Sequence, residues 1–172
     1  MQNFTYQVPI RVHLSTKLPI TDEKGNTIFL MQKQRHRFLA SIFNGILRYG
    51  LPFCYQIANI SGQPLYIIDC VFPGFRYKLI EHVSSQTIPI TRHKVQLIEN
   101  AYSFTIANQN YYFEKDYTGA GHLKCDDEQI ATVSMPVIKK SSMIDTINVQ
   151  AATEEIAPLA AVMFHTFYYY NA

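Results

Sequence analysis

Residues 158–171 read PLAAVMFHTFYYYN, and at helical spacing this stretch has no polar face. Leu159, Ala160, Ala161, Val162, Met163, Phe164, Phe167 and Tyr168 to Tyr170 cover every direction, with only His165 and Thr166 as interruptions. A helix that is apolar all round has to be enclosed. From Pro158 to Tyr170 it would be about 20 Å long at the α-helical rise, whereas a bilayer span takes roughly 20 consecutive apolar residues. The stretch therefore predicts the core helix of a soluble domain, wrapped by the rest of the chain. Pro158 suits the first helical turn, where its missing N–H is not needed, and Thr153, Glu154 and Glu155 suit an opening turn near the positive end of the helix dipole. His165, alone in such a helix, is expected to be hydrogen-bonded inside the core rather than to act as a ligand.

What precedes the helix reads as the wrapping. From Phe4 to Leu14 the chain alternates around Val8, Ile10, Val12 and Leu14, with Gln7, Arg11 and His13 on the other side, the period of a half-buried strand. Asp22 to Asn26 is a turn, and Thr27 to Gln32 returns as a second strand. The period then changes: Phe38, Leu39, Ile42, Phe43, Ile46 and Leu47 form a stripe, with Arg35, Arg37, Ser41, Asn44 and Arg48 away from it. This predicts an amphipathic helix on the outside of the sheet, ending near Gly50-Leu51-Pro52.

Beyond Pro52 short β runs are divided by turn chemistry. Phe53 to Ile60, Leu65 to Phe72 and Phe75 to Val83 make a meander, with further strands around 88–98, 101–107, 111–117, 122–125, 129–137 and 143–149. About eleven strands with no crossover helices imply an antiparallel sheet large enough to close on itself, and an enclosed helix favours closure. The fold expected is mainly β, with a central helix, in one domain over residues 1–172.

Composition agrees with a globular chain and narrows its partners little. Of 172 residues 48% are hydrophobic and 16% charged, which argues against disorder. Lys plus Arg number 15 against 13 Asp plus Glu, too small an excess to predict nucleic-acid or membrane binding from overall charge. The opening MQNFTYQVPIRVHL lacks the basic, apolar and small-residue regions of a signal peptide, so a cytoplasmic location is expected. Cys54, Cys70 and Cys125 have no paired spacing, and reduced, mostly buried thiols are expected.

The stretches YQIANISGQPLYIIDC (55–70) with FRYKLIE (75–81), YSFTIANQNYYFE (102–114) and APLAAVMFHTFYYY (157–170) carry a resemblance over nearly the whole chain. Their order resembles the tubby C-terminal-like superfamily, which includes LURP-one-related proteins and phospholipid scramblases. The resemblance implies a closed antiparallel barrel of about twelve strands around a hydrophobic C-terminal helix. Residues 15–47, STKLPITDEKGNTIFLMQKQRHRFLASIFNGIL, look more particularly like small bacterial tubby-like proteins with a helix early in the barrel. Tubby proteins bind phosphoinositide headgroups with basic side chains on the barrel wall. Their binding motif has no residue-by-residue match here, and phosphoinositides are not a general bacterial lipid, so that activity does not carry over.

Several clusters are candidate sites. Arg76 and Lys78 alternate with Phe75, Tyr77 and Leu79, which puts two cations on one strand face about 7 Å apart. With Arg92, His93 and Lys94 on a nearby strand they suit a phosphate-bearing headgroup, Arg as a bidentate fork and Lys as a point charge. The plain alternative is a solvated outer face. Arg35, Arg37 and Arg48 on the outer helix suit a protein partner or nucleic acid, or simply solvent. His122, Cys125, Asp126 and Asp127 lack the second paired spacing of a metal site and read as a turn. Neither Cys54 nor Cys70 has a local activating motif, and Gly119 and Gly121 make no phosphate loop. No metal, no cofactor and no catalytic constellation are expected. The leading expectation is a non-enzymatic barrel that binds an anionic lipid headgroup or another phosphate-bearing molecule, peripheral to a membrane. The alternative is an interaction or regulatory module acting through helix 35–48.

Overall fold

Alternating stretches of the sequence become the staves of a barrel. The computed structural model describes residues 1–34, 54–71, 76–95, 99–136 and 144–169. Its strands are β1 (Gln2–Pro9), β2 (Lys17–Asp22), β3 (Thr27–Gln34), β4 (Cys54–Asn59), β5 (Pro64–Val71), β6 (Arg76–Glu81), β7 (Gln86–Val95), β8 (Glu99–Ile106), β9 (Gln109–Lys115), β10 (Gly121–Cys125), β11 (Glu128–Ser134) and β12 (Ile144–Ala151). Each pairs antiparallel with its neighbours in the chain, and β1 with β12 closes the ring in register from Gln2↔Ala151 to Pro9↔Ile144. Closure leaves no unpaired edge.

The up-and-down path sorts strand ends. Pro9, Lys17, Gln34, Cys54, Arg76 and Ser134 lie at one end, here the upper rim; Asp22, Thr27, Asn59, Glu81, Cys125 and Ala151 lie at the lower rim. Two lower turns have two residues in the left-handed region, Ala107 and Asn108 at φ 48° and 67° and Asp126 and Asp127 at 45° and 70°. These are type I′ hairpins, whose twist matches that of the strands they join.

A twelve-stranded ring is too wide for wall side chains alone to fill, since about eight strands suffice for that. The space is taken by α1 (Ala157–Phe164) and the π-helical turn His165–Tyr169 that continues it. Every residue from Ala157 to Tyr168 is buried. The helix meets inward side chains that alternate along the strands, among them Tyr6, Ile20, Met31, Ile57, Leu79 and Val149. Phe167 stacks on Tyr102 with ring centroids 3.8 Å apart, and Tyr77 meets Phe167 edge-on at 4.7 Å. Pro158 does lie in the first turn, but no side chain caps the helix, and Glu154 and Glu155 stand exposed outside that turn. The backbone bond from Ile156 N–H to Thr153 O, at 3.3 Å, makes the turn instead.

Two expectations change. The run Phe4–Leu14 is not one strand: β1 ends at Pro9, and Thr16 N–H to His13 O (3.0 Å) turns the chain into β2. Strand β2 is not among the runs expected above: Pro19 is a break signal, yet it sits on an exposed register while Leu18 and Ile20 fill the core. That strand makes the count twelve rather than eleven. The expected amphipathic helix 35–48 lies outside the described residues.

Candidate functional site

The four cations singled out above gather at the upper ends of two adjacent strands. On β6, Leu79 is buried and Tyr77 packs on the core, so Arg76 and Lys78 stand exposed on the outer wall. Lys78 lies opposite Asp69 on one side and Pro89 on the other. On β7, Ile88 and Ile90 are buried, and the register they define continues to Arg92 and Lys94, both exposed. Arg92 pairs across the ladder with Tyr102, a core residue. The structure thus brings the four to one end of neighbouring strands but onto opposite registers, two on the outer wall and two on the lumen side at the mouth. Parity counted from Ile88 and Ile90 would have found this in the sequence.

Arg92 is held in place. Its Nε donates to Asn100 Oδ1 at 2.8 Å, while the backbone carbonyl of Asn100 accepts the Tyr168 hydroxyl at 2.7 Å. The mouth of the barrel is thereby tied to the end of its core helix, a link across 68 residues that no local signal could reveal. Burial raises the Tyr102 phenol above its usual range, and the Arg92 charge works against that rise. On the outer wall His93 Nε2 lies 2.7 Å from Ser103 Oγ, with its ring 6.1 Å from that of Tyr112. Arg35, Arg37 and Arg48 lie outside the described residues.

The His122–Asp127 cluster does not converge. His122 is on the outer face of β10 and Cys125 packs toward the core, so the two sit on opposite registers. His122 Nε2 lies 2.9 Å from Asp116 Oδ2. Partial burial acts to raise the Asp116 pKa, but hydrogen bonds from His122, Thr118 and Ala120 outweigh it and hold the carboxyl well below the carboxylate range. The other ring nitrogen is 3.5 Å from Thr132 Oγ1, at the limit of a hydrogen bond, and that hydroxyl accepts from Gln129 at 3.0 Å. This is a turn lock without an activated nucleophile. Among the described residues no three His, Cys, Asp or Glu side chains are placed to hold a metal.

His165 is enclosed at the centre, its ring 4.4 Å from Tyr55, 5.8 Å from Tyr6 and stacked 5.0 Å from Tyr169. Desolvation lowers its pKa to about 3, so the imidazole is neutral. Cys54 is buried, with Sγ donating to Asp69 Oδ1 at 3.1 Å. Open clefts among the described residues include one of about 850 Å³ at the upper rim, lined by Val12, His13, Leu14, Ser15 and Gln32 to Gln34, and one of about 530 Å³ on the wall around Ser103, Tyr112, Lys124, Asp126 and Asp127. Among the described residues no helix is long and apolar enough to cross a membrane.

The family model of the Tubby C-terminal like domain matches residues 4–171. No curated protein and no solved structure matches the chain.

Proposed function

The chain belongs to the Tubby C-terminal like family, and from that premise we propose that it is a non-enzymatic binding barrel for an anionic, phosphate-bearing ligand, with a lipid headgroup as the leading candidate. The observation that carries this reading is the gathering of four exposed cations, Arg76, Lys78, Arg92 and Lys94, at one end of β6 and β7. Arg92 adds direction: with Nε committed to Asn100, its terminal nitrogens remain for a bidentate contact with phosphate oxygens. The location that suits this role is the cytoplasmic face of a membrane.

Flotation with vesicles of rising anionic content, at low and moderate salt, tests the proposal. Recovery is expected to climb with phosphatidylglycerol, to fall with salt as exposed charges are screened, and to drop to the neutral-vesicle level when the four cations are replaced by Ser. Equal recovery on neutral and anionic vesicles removes the lipid reading.

A further inference from the structure

Charge is sorted along the barrel axis. At the upper rim stand Arg11, Lys17, Lys33, Arg76, Arg92 and Lys94. At the lower rim and its turns stand Asp22, Glu23, Asp126, Asp127, Glu154 and Glu155, with Lys24 the cation among the described lower turns. The near-neutral total hides this separation, because each strand deposits its ends at opposite rims. Among the described side chains the same rim also carries the carboxylates Asp69, Glu114, Asp116 and Asp145, of which Glu114 is paired with Lys124 at 2.7 Å, so the cations there outnumber the remaining carboxylates.

Large apolar side chains are exposed at both rims, Met1, Ile60 and Val83 at the acidic one, but only at the upper rim do they stand among several described cations. Tyr117 in the β9–β10 connection is 98% exposed and Ile10 after β1 is 73% exposed, while Leu14, Met135 and Ile144 are exposed on neighbouring connections and strand ends. Ile144 lies opposite Pro9, which sets it beside Ile10. Cations that reach phosphates and apolar groups that enter the acyl boundary are the two components of an interfacial membrane contact. A nucleic acid would use the first and leave the second in water.

We infer that the barrel docks end-on, upper rim first, against an anionic lipid bilayer, seating Tyr117 and Ile10 in the headgroup region while the acidic lower rim faces away. This rests on the anionic-ligand reading above and adds an orientation and an apolar contribution to it. Sorted charge turns the molecule before contact, since an anionic surface attracts one rim and repels the other.

The chain has no Trp, so a single indole reports its own surroundings. Tyr117→Trp marks the upper rim and Val83→Trp, at a position 79% exposed in the β6–β7 turn, marks the lower. Each variant is mixed with vesicles of equal parts phosphatidylcholine and phosphatidylglycerol bearing brominated acyl chains. The expected result is a blue shift and strong quenching for Tyr117→Trp with Val83→Trp unchanged, and a several-fold loss of flotation for the Ile10→Ser/Tyr117→Ser variant. Quenching at both positions, or at Val83→Trp alone, overturns the orientation. Flotation of both variants without quenching overturns end-on docking and leaves the anionic-ligand reading standing. If neither variant floats, docking is overturned, and titration of the full chain with glycerol phosphate decides the fate of the ligand reading. Salt-sensitive growth in light scattering without vesicles would mean that the rim meets the acidic end of another copy, and also overturns the inference.

Discussion

Gly121 and Phe164 meet where the barrel wall closes on its core helix: a Cβ on Gly121 would stand 2.8 Å from Phe164 Cδ2, with Phe113 Cζ at 2.9 Å. Gly121 opens β10 with an ordinary backbone conformation, so its small size matters here through packing alone. Gly121→Ala is expected to cost about 1–3 kcal/mol by overpacking. Adding Phe164→Leu should recover part of that loss, and urea denaturation of the single and double variants measures the coupling. Additive losses would mean that the two residues do not press on each other.

Phe164→Ala removes a ring buried between helix and wall and should cost roughly 3–5 kcal/mol through lost transfer energy and a residual cavity. That is a large share of the usual 5–15 kcal/mol of a domain. Urea or thermal unfolding checks it, and a loss below about 1 kcal/mol would place the ring at a periphery.

His165 makes stability depend on pH in a stated direction. Its folded pKa is lowered to about 3 from an ordinary 6.5 by burial, so the unfolded chain takes up a proton first as pH falls. The contribution is whole above about pH 6.5 and is lost progressively toward pH 3, by up to about 1.4 kcal/mol for each pH unit in that window. The rings of Tyr6, Tyr55 and Tyr169 face the imidazole. Carboxylates such as Asp116, held low in the folded state, add a slope of the same sign. The difference between the native chain and His165→Gln isolates the histidine: the native chain should lose stability faster between pH 6.5 and 4, and parallel curves would contradict a buried neutral imidazole.

The barrel and its core helix were legible because alternation and an all-round apolar stretch are one-dimensional signals. Val8, Met31, Ile57 and Leu79 fall inward as their periods require. Strand β2 was hidden by Pro19, a residue that blocks a ladder donor only where one is needed. Gly119 takes positive φ, at 88°, as a turn glycine does, whereas the role of Gly121 two residues later depends on Phe164, which is distant in sequence. The four cations proposed as a site stand in the sequence residue by residue, whereas their arrangement does not. Which face Arg92 occupies follows from parity, whereas its bond to Asn100 and the tie from Asn100 to Tyr168 arise only once the ring has closed around the helix.

The central claim is that the C-terminal helix is the core of the barrel, and deleting Pro158 to Ala172 tests it most directly. Circular dichroism and thermal melting of the shortened chain are compared with those of the full chain. With the lumen emptied, inward residues such as Tyr6, Met31 and Ile57 lose their packing partners, so an insoluble product, or one without a cooperative melt, is the predicted result. A shortened chain that keeps its β-sheet spectrum and melts cooperatively near the full-length temperature would contradict the account.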